Sequence, residues 1–313
     1  VRLARLTMPT IKTSVWVGLA LLALSVAMAA QAAKPLIVSS KLSSESALIA
    51  QMIRLSAEAH HIPTVDRTVL GATPIMRRAI LAGEIDMYIE YTGNAAFFYN
   101  RAQDPRWRDA EWGYAQGSAS DAGHGLVWLA KAPASNRWAL AIREDWATRY
   151  NLHTLSDLGA LLRAQALPIK LACSAEFVNS DTLKDLERLY GFTLLPTQLV
   201  ILAGGETAAF MRAAAHQIDG VNVALVYSTD GAITASHLRL LEDDLNAEPV
   251  YAPVPIVRAE ALKRYPELRS ISQDILSRLD TPTLQRLNAR VQLDGVAIST
   301  VARQWLQAEH LLP

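Results

Sequence analysis

The amino-acid sequence predicts an α/β protein built as two lobes that face one cleft. Three observations carry that prediction: apolar runs alternate with amphipathic helical stretches, the length suits two cores, and one pattern occurs twice. The repeated pattern is Gly83–Gly93 (GEIDMYIEYTG) and Gln217–Gly231 (QIDGVNVALVYSTDG). In each, an Ala-rich helical stretch ends, an Ile-Asp pair turns the chain, and an apolar run reads as a buried strand. A tyrosine, Tyr91 or Tyr227, then stands at the strand's end before small polar residues and glycine. Ligands in open α/β sheets sit at the carboxyl ends of strands, so the two tyrosines place a ligand-facing ring on each lobe.

Along the chain, Arg2, Arg5 and Lys12 precede an uncharged apolar run from Val15 to Met28, then Ala29 to Ala33. The run is shorter than the roughly 20 residues a spanning helix needs, and small residues follow it, so it reads as a signal peptide cleaved after Ala32 or Ala33. The only cysteine is Cys173, which excludes an internal disulfide and a lipid-modified cysteine at the mature N-terminus. The expectation is a soluble periplasmic protein, not a lipoprotein. Residues 34–313 exceed what one compact core usually holds and suit two domains of about 100 to 150 residues. The expected division is signal peptide 1–33, first lobe 34–136, second lobe 137–249, and a mostly helical 250–313 that packs back on the first lobe.

Within the first lobe, Pro35 to Ser39 reads as a strand and Ser44 opens a helix with Leu48, Ile49, Met52 and Leu55 on its apolar face. Thr73-Pro74 reads as an N-cap and first turn, and Gly83 as the stop. Asp104 to Asp121 reads as a surface excursion whose Trp107, Trp112 and Tyr114 serve packing. The second lobe predicts strands at Trp138–Arg143, Ile169–Cys173, Leu199–Ala203 and Val221–Tyr227. Between them fall helices from Thr154 toward Leu162, at Asp181–Tyr190 before Gly191, and at Glu206–His216. Such alternation predicts largely parallel sheets. Beyond Tyr251, helical spacing covers Arg258–Arg264, Glu267–Leu279, Thr281–Val291 and Ser299–Glu309.

Lys and Arg total 30, as do Asp and Glu, with no basic stripe, which argues against nucleic acid as partner. There is no Gly-x-Ser-x-Gly elbow, phosphate-binding loop or His-Glu-x-x-His, and His60-His61 point apart on a helix with no third ligand. Cys173 in its apolar strand reads as an inert buried thiol, Glu242-Asp243-Asp244 as a solvated turn, and Arg77 and Arg78 as surface charge. Lys41 stands before a helix N-terminus, where a cation is disfavoured unless it joins the free N–H groups in holding an anion. Tyr91, Trp138, Tyr227 and Tyr251 fall at strand beginnings or ends near the lobe boundaries.

Taken in order, Ser40–Glu45 (SKLSSE), Ile89–Gly93 (IEYTG), Asn136–Leu140 (NRWAL), Ala175–Phe177 (AEF), Gly204–Thr207 (GGET), Val226–Gly231 (VYSTDG), and Leu241–Asp244 (LEDD) with Pro249–Pro253 (PVYAP) resemble the binding proteins of osmoprotectant importers. These are the glycine betaine, choline and carnitine binders, and the likeness is nearest to the osmotic-stress branch. It implies a type II-like periplasmic binding protein in which Tyr91, Trp138, Tyr227 and Tyr251 surround a quaternary ammonium group. Lys41 and Asn94 would hold the ligand's polar end, with Thr92, Glu176, Thr207 and Thr229 as further contacts. It also implies a monomer without metal or organic cofactor, delivering its solute to a membrane permease driven by a cytoplasmic ATPase. Two departures reduce the carboxylate clamp: Asn94 where relatives have Thr or Ser, and Ser180 near a position where they carry Arg. Rival readings are the same fold holding another solute such as an amino acid, and a dehydratase using Glu90 or Glu176 as general acid.

Overall fold

The computed structural model describes residues 34–202 and 207–312; the expected signal peptide, and Ala203 to Glu206, which hold the end of one expected strand and the start of the expected helix after it, lie outside them. Strands β1 (Leu36–Lys41), β2 (Thr64–Gly71), β3 (Met87–Tyr91) and β4 (Leu126–Trp128) precede β5 (Trp138–Arg143), β6 (Leu171–Cys173), β7 (Leu199–Ile201), β8 (Val223–Tyr227) and β9 (Leu238–Leu240). The last, β10 (Pro253–Arg258), follows them. One sheet runs β2-β1-β3-β10-β4 and the other β7-β6-β8-β5-β9. In each, four of the five strands run the same way and the one fourth in order is antiparallel to both its neighbours. The sheets are thus largely parallel, as the alternation predicts, with one antiparallel strand inserted in each. The antiparallel strands β5 and β10 directly follow the two passages of the chain from one sheet to the other.

β10 is not among the expected elements, because its Pro253 and Pro255 argue against a central strand and helical spacing begins at Arg258. Both prolines turn the same edge toward the irregular stretch after β4, where their carbonyls accept from Ala132 and Leu129. Val254 and Ile256 bond toward β3, so the missing N–H groups remove nothing from that ladder. Alternation along β3 splits the first sheet's faces. Met87 and Ile89 pack under the helix Ser44–Ala59 with Trp305 and Leu306 of the tail, and Tyr88 packs on the other side with Trp107 and Trp128. The second sheet has its own core, including Phe177, Phe210 and Leu225.

Local rules explain most helix ends. Thr154 and Asp157 form a reciprocal capping box, and Asp280 accepts from Thr283 N at the head of Thr281–Gln292. Gly83 ends Thr73–Ala82 at φ 75°, but the N-cap is Ala72, with Thr73 already helical. The excursion after Asp104 is a 3₁₀ turn, Pro105–Arg108, followed by the helix Ala110–Ala122, with Trp107 buried edge-on to Trp112. Arg77 is not a surface charge: it pairs with the fully buried Asp121. Asp243 is also buried, accepting from Tyr190 OH at 2.5 Å and from Ala247 N at 2.8 Å, and pairing with Arg137 at 3.1 Å. The acidic run is therefore a turn built around one buried carboxylate. No described helix is long and apolar enough to cross a membrane.

Candidate functional site

The two passages between sheets run side by side: Asn136 N donates to Tyr251 O at 2.9 Å and Tyr251 N to Ser135 Oγ at 3.0 Å. Beside them opens a cleft of about 1460 Å³. Tyr91 ends β3, Trp138 begins β5, Tyr227 ends β8, and Tyr251 lies just before β10; all four line this cleft. Trp138 and Tyr227 are direct cross-strand partners, and Trp138 meets Phe177 edge-on at 5.5 Å. The Tyr251 ring lies so close to Gly93 that a Cβ there would come within 2.7 Å of its Cε1. Burial raises the Tyr251 phenol to about 12. Burial and the neighbouring Glu45 raise that of Tyr91 well above its ordinary value, so both stay protonated donors.

Asn94, Glu176 and Thr229 also line the cleft. Lys41, Thr92 and Thr207 are not brought to it. Lys41 ends β1 and is buried in an ion pair with Glu90, its Nζ 5.0 Å from the Tyr91 ring centroid. Thr92 Oγ1 donates to Val250 O and accepts from Ala252 N, stapling β3's end to the second passage. Thr207 hydrogen-bonds Asp230, whose carboxyl burial pushes up. Ser180 is the N-cap of Asp181–Tyr190. Glu90 is fully buried and accepts from Lys41, Tyr91 N, Asn94 Nδ2 and Tyr88 OH, so it is an internal anchor with no face for a substrate. Glu176 is exposed on the cleft. Among the described residues no His, Cys, Asp and Glu cluster is placed to hold a metal, and Cys173 is buried with its thiol raised to about 11.

The sequence reading missed Glu45, Asn136, Asn288 and Glu248 as cleft residues. Glu45 Oε1 accepts from Tyr91 OH at 2.9 Å and from Asn136 Nδ2 at 2.8 Å, and Oε2 from Asn288 Nδ2 at 2.8 Å. Asn288 did carry a signal: with Leu284, Leu287 and Val291 it stands on the apolar stripe of its helix, where a polar residue needs a buried partner.

Two sheets, each with one inserted antiparallel strand, and a cleft beside two adjoining passages define a two-lobed substrate-binding protein. The family model describing the substrate-binding domain of ABC-type glycine betaine transport systems matches residues 34–308, and the chain belongs to that family, a transport component rather than an enzyme. It is 42% identical to the glycine betaine-binding protein YehZ of Escherichia coli K12 over 96% of this chain and 98% of that one. A glycine-betaine-binding protein of Pseudomonas aeruginosa is 32% identical over 78% of each chain. The apo structure of YehZ from Escherichia coli superimposes with a TM-score of 0.83, covering 89% of this chain and all of that one.

Proposed function

We propose that this protein is the periplasmic receptor of an osmoprotectant importer, capturing a quaternary ammonium solute between Tyr91, Trp138, Tyr227 and Tyr251. It hands the solute to an inner-membrane permease driven by a cytoplasmic ATPase. The observation that carries this reading is that four aromatic rings from four separate segments line one cleft. A trimethylammonium group has no N–H to donate and spreads its charge over methyl groups, so π faces hold it, at about 0.5 to 2 kcal/mol each. Four such faces supply much of the roughly 8 kcal/mol of a micromolar complex. The names of the Escherichia coli and Pseudomonas relatives point to the same ligand class.

The polar end of the ligand finds little cationic charge that is not already paired. Lys41 is committed to Glu90, Ser180 serves as a cap, Arg137 is paired with Asp243, and Arg108 and Arg188, which also line the cleft, are both paired with Asp185. Glu45, Glu176 and Asp230 add carboxylates to the cleft wall. This balance supports a ligand held chiefly through its cation, choline at least as well as glycine betaine.

The test is isothermal titration of protein unfolded and refolded to strip carried-over solute, with choline and glycine betaine in parallel. Tyr91→Ala with Tyr227→Ala is expected to remove about 1 to 4 kcal/mol, a loss of about 5-fold to several hundred-fold in affinity. Unchanged affinity in that double variant rules out the ring site.

A further inference from the structure

Asn288 is 2% exposed, on the helix Thr281–Gln292. Its single amide nitrogen donates twice, to Glu45 Oε2 at 2.8 Å and to Thr229 O at 2.9 Å. Its Oδ1 is buried and accepts no hydrogen bond within the described chain. Turning the amide over would set its carbonyl against a carboxylate and a second carbonyl, so the two donated bonds fix its orientation. Glu45 belongs to the first turn of the helix after β1 and holds the hydroxyl of Tyr91; Thr229 follows Tyr227 by two residues. One side chain thus bonds both the carboxylate that holds Tyr91 and the backbone two residues beyond Tyr227.

The surrounding contacts follow the same line. Gln285, one turn earlier, donates to Ser228 O at 2.8 Å. Gly231 presses on the helix backbone so tightly that a Cβ would lie 2.1 Å from Ala289 N. Gln285, Asn288 and Ala289 form one face of the helix, and Ser228, Thr229 and Gly231 form the loop behind Tyr227. The helix is seated on the second sheet's ligand loop while its other contacts, Leu284 and Leu287, belong to the first sheet's core.

We infer that Asn288 is a positioning residue that ties the cleft's two walls, setting Tyr91 through Glu45 and Tyr227 through the Thr229 carbonyl. This rests on the reading of those rings as the ligand site. A plain packing role predicts that any substitution at Asn288 costs stability alone. A tie predicts dependence on which partner donates and which accepts.

The experiment compares the wild type with Asn288→Asp, Glu45→Gln, the two combined, and Asn288→Ser. Choline and glycine betaine titration, small-angle X-ray scattering without ligand, and thermal unfolding are the readouts. Asn288→Asp sets an acceptor against two acceptors; the expected result is at least a tenfold loss of affinity and a larger radius of gyration in a folded protein. In the double variant the amide introduced by Glu45→Gln keeps an oxygen for Tyr91 and Asn136, and its nitrogen donates to the carboxylate introduced by Asn288→Asp; this restores the Glu45 side and part of the affinity, while the Thr229 carbonyl still faces an acceptor and the larger radius of gyration remains. Asn288→Ser, one donor for two acceptors, falls between and serves if Asn288→Asp does not fold. Wild-type affinity and dimensions in Asn288→Asp, or losses that simply multiply in the double variant, overturn the tie. If the wild type binds neither solute but scattering shows the separation in Asn288→Asp, the tie stands and the ring reading falls.

Discussion

Lys41 shows how a residue's role depends on a partner far along the chain. A cation just before a helix N-terminus is unfavourable unless an anion joins it, and here the anion is supplied internally, by Glu90. Glu90 is fully buried, and Lys41 is the only cation among its partners in the described chain, so removing that cation leaves a buried carboxylate held by neutral donors. Breaking a buried pair in this way typically costs about 3 to 5 kcal/mol. Lys41→Met is therefore expected to lower the urea midpoint strongly, while the folded fraction keeps similar affinities for choline and glycine betaine. Were Lys41 instead a holder of the ligand's carboxylate, the substitution would spare stability and selectively weaken glycine betaine. Urea unfolding and titration on one preparation separate the two.

The duplicated strand-turn element acts through its glycines. Gly93 and Gly231 each precede a short helix, Asn94–Phe98 and Ala232–Ala235, with φ of −62° and −68°, open to any residue. Their lack of a side chain matters for space: Gly93 lets the Tyr251 ring lie against the backbone, and Gly231 admits the tail helix. Gly93→Ala consequently tests ring placement without a backbone penalty. The expected outcome is a fall in quaternary ammonium affinity of about tenfold, the scale of one displaced ring, with a small shift in melting temperature, read by titration and calorimetry. This element was legible in the sequence because its signals are local: an apolar run, an aromatic at the strand end, then glycine. β10 was not, because the rule against proline in central strands fails where one flank of the strand is irregular. The bridge among Glu45, Tyr91, Asn136 and Asn288 was not legible as a set either. Its members are drawn together only by the tertiary fold, and no spacing links them.

At the scale of the whole molecule, the join between the two lobes carries a titrating group. Glu248 lies one residue before Pro249 in the second passage, is 4% exposed, and its Oε1 accepts no hydrogen bond within the described chain. Burial pushes its carboxyl up to about 7, against the opposing pull of a Thr182 hydrogen bond and the Arg137 charge. The unfolded chain loses this proton near the ordinary value of about 4.5, whereas the folded chain keeps it to about 7. Between those values the native state binds more protons, so this group makes stability fall as pH rises, with a ceiling of about 3 kcal/mol, and adds no slope above about pH 8. Carboxylates held below their usual range act oppositely: Asp157 through the His153 and Thr154 backbone and Asp280 through Thr283 stabilise above about pH 4 and lose that contribution as pH falls through their depressed values. For these three groups together the stabilising contribution is largest in mildly acid solution, between the two slopes. Glu248→Gln removes the upper slope alone. Its urea midpoint is expected to match the wild type at about pH 4.5 and to exceed it at about pH 8; parallel curves across that range would show that the join is insensitive to this carboxyl.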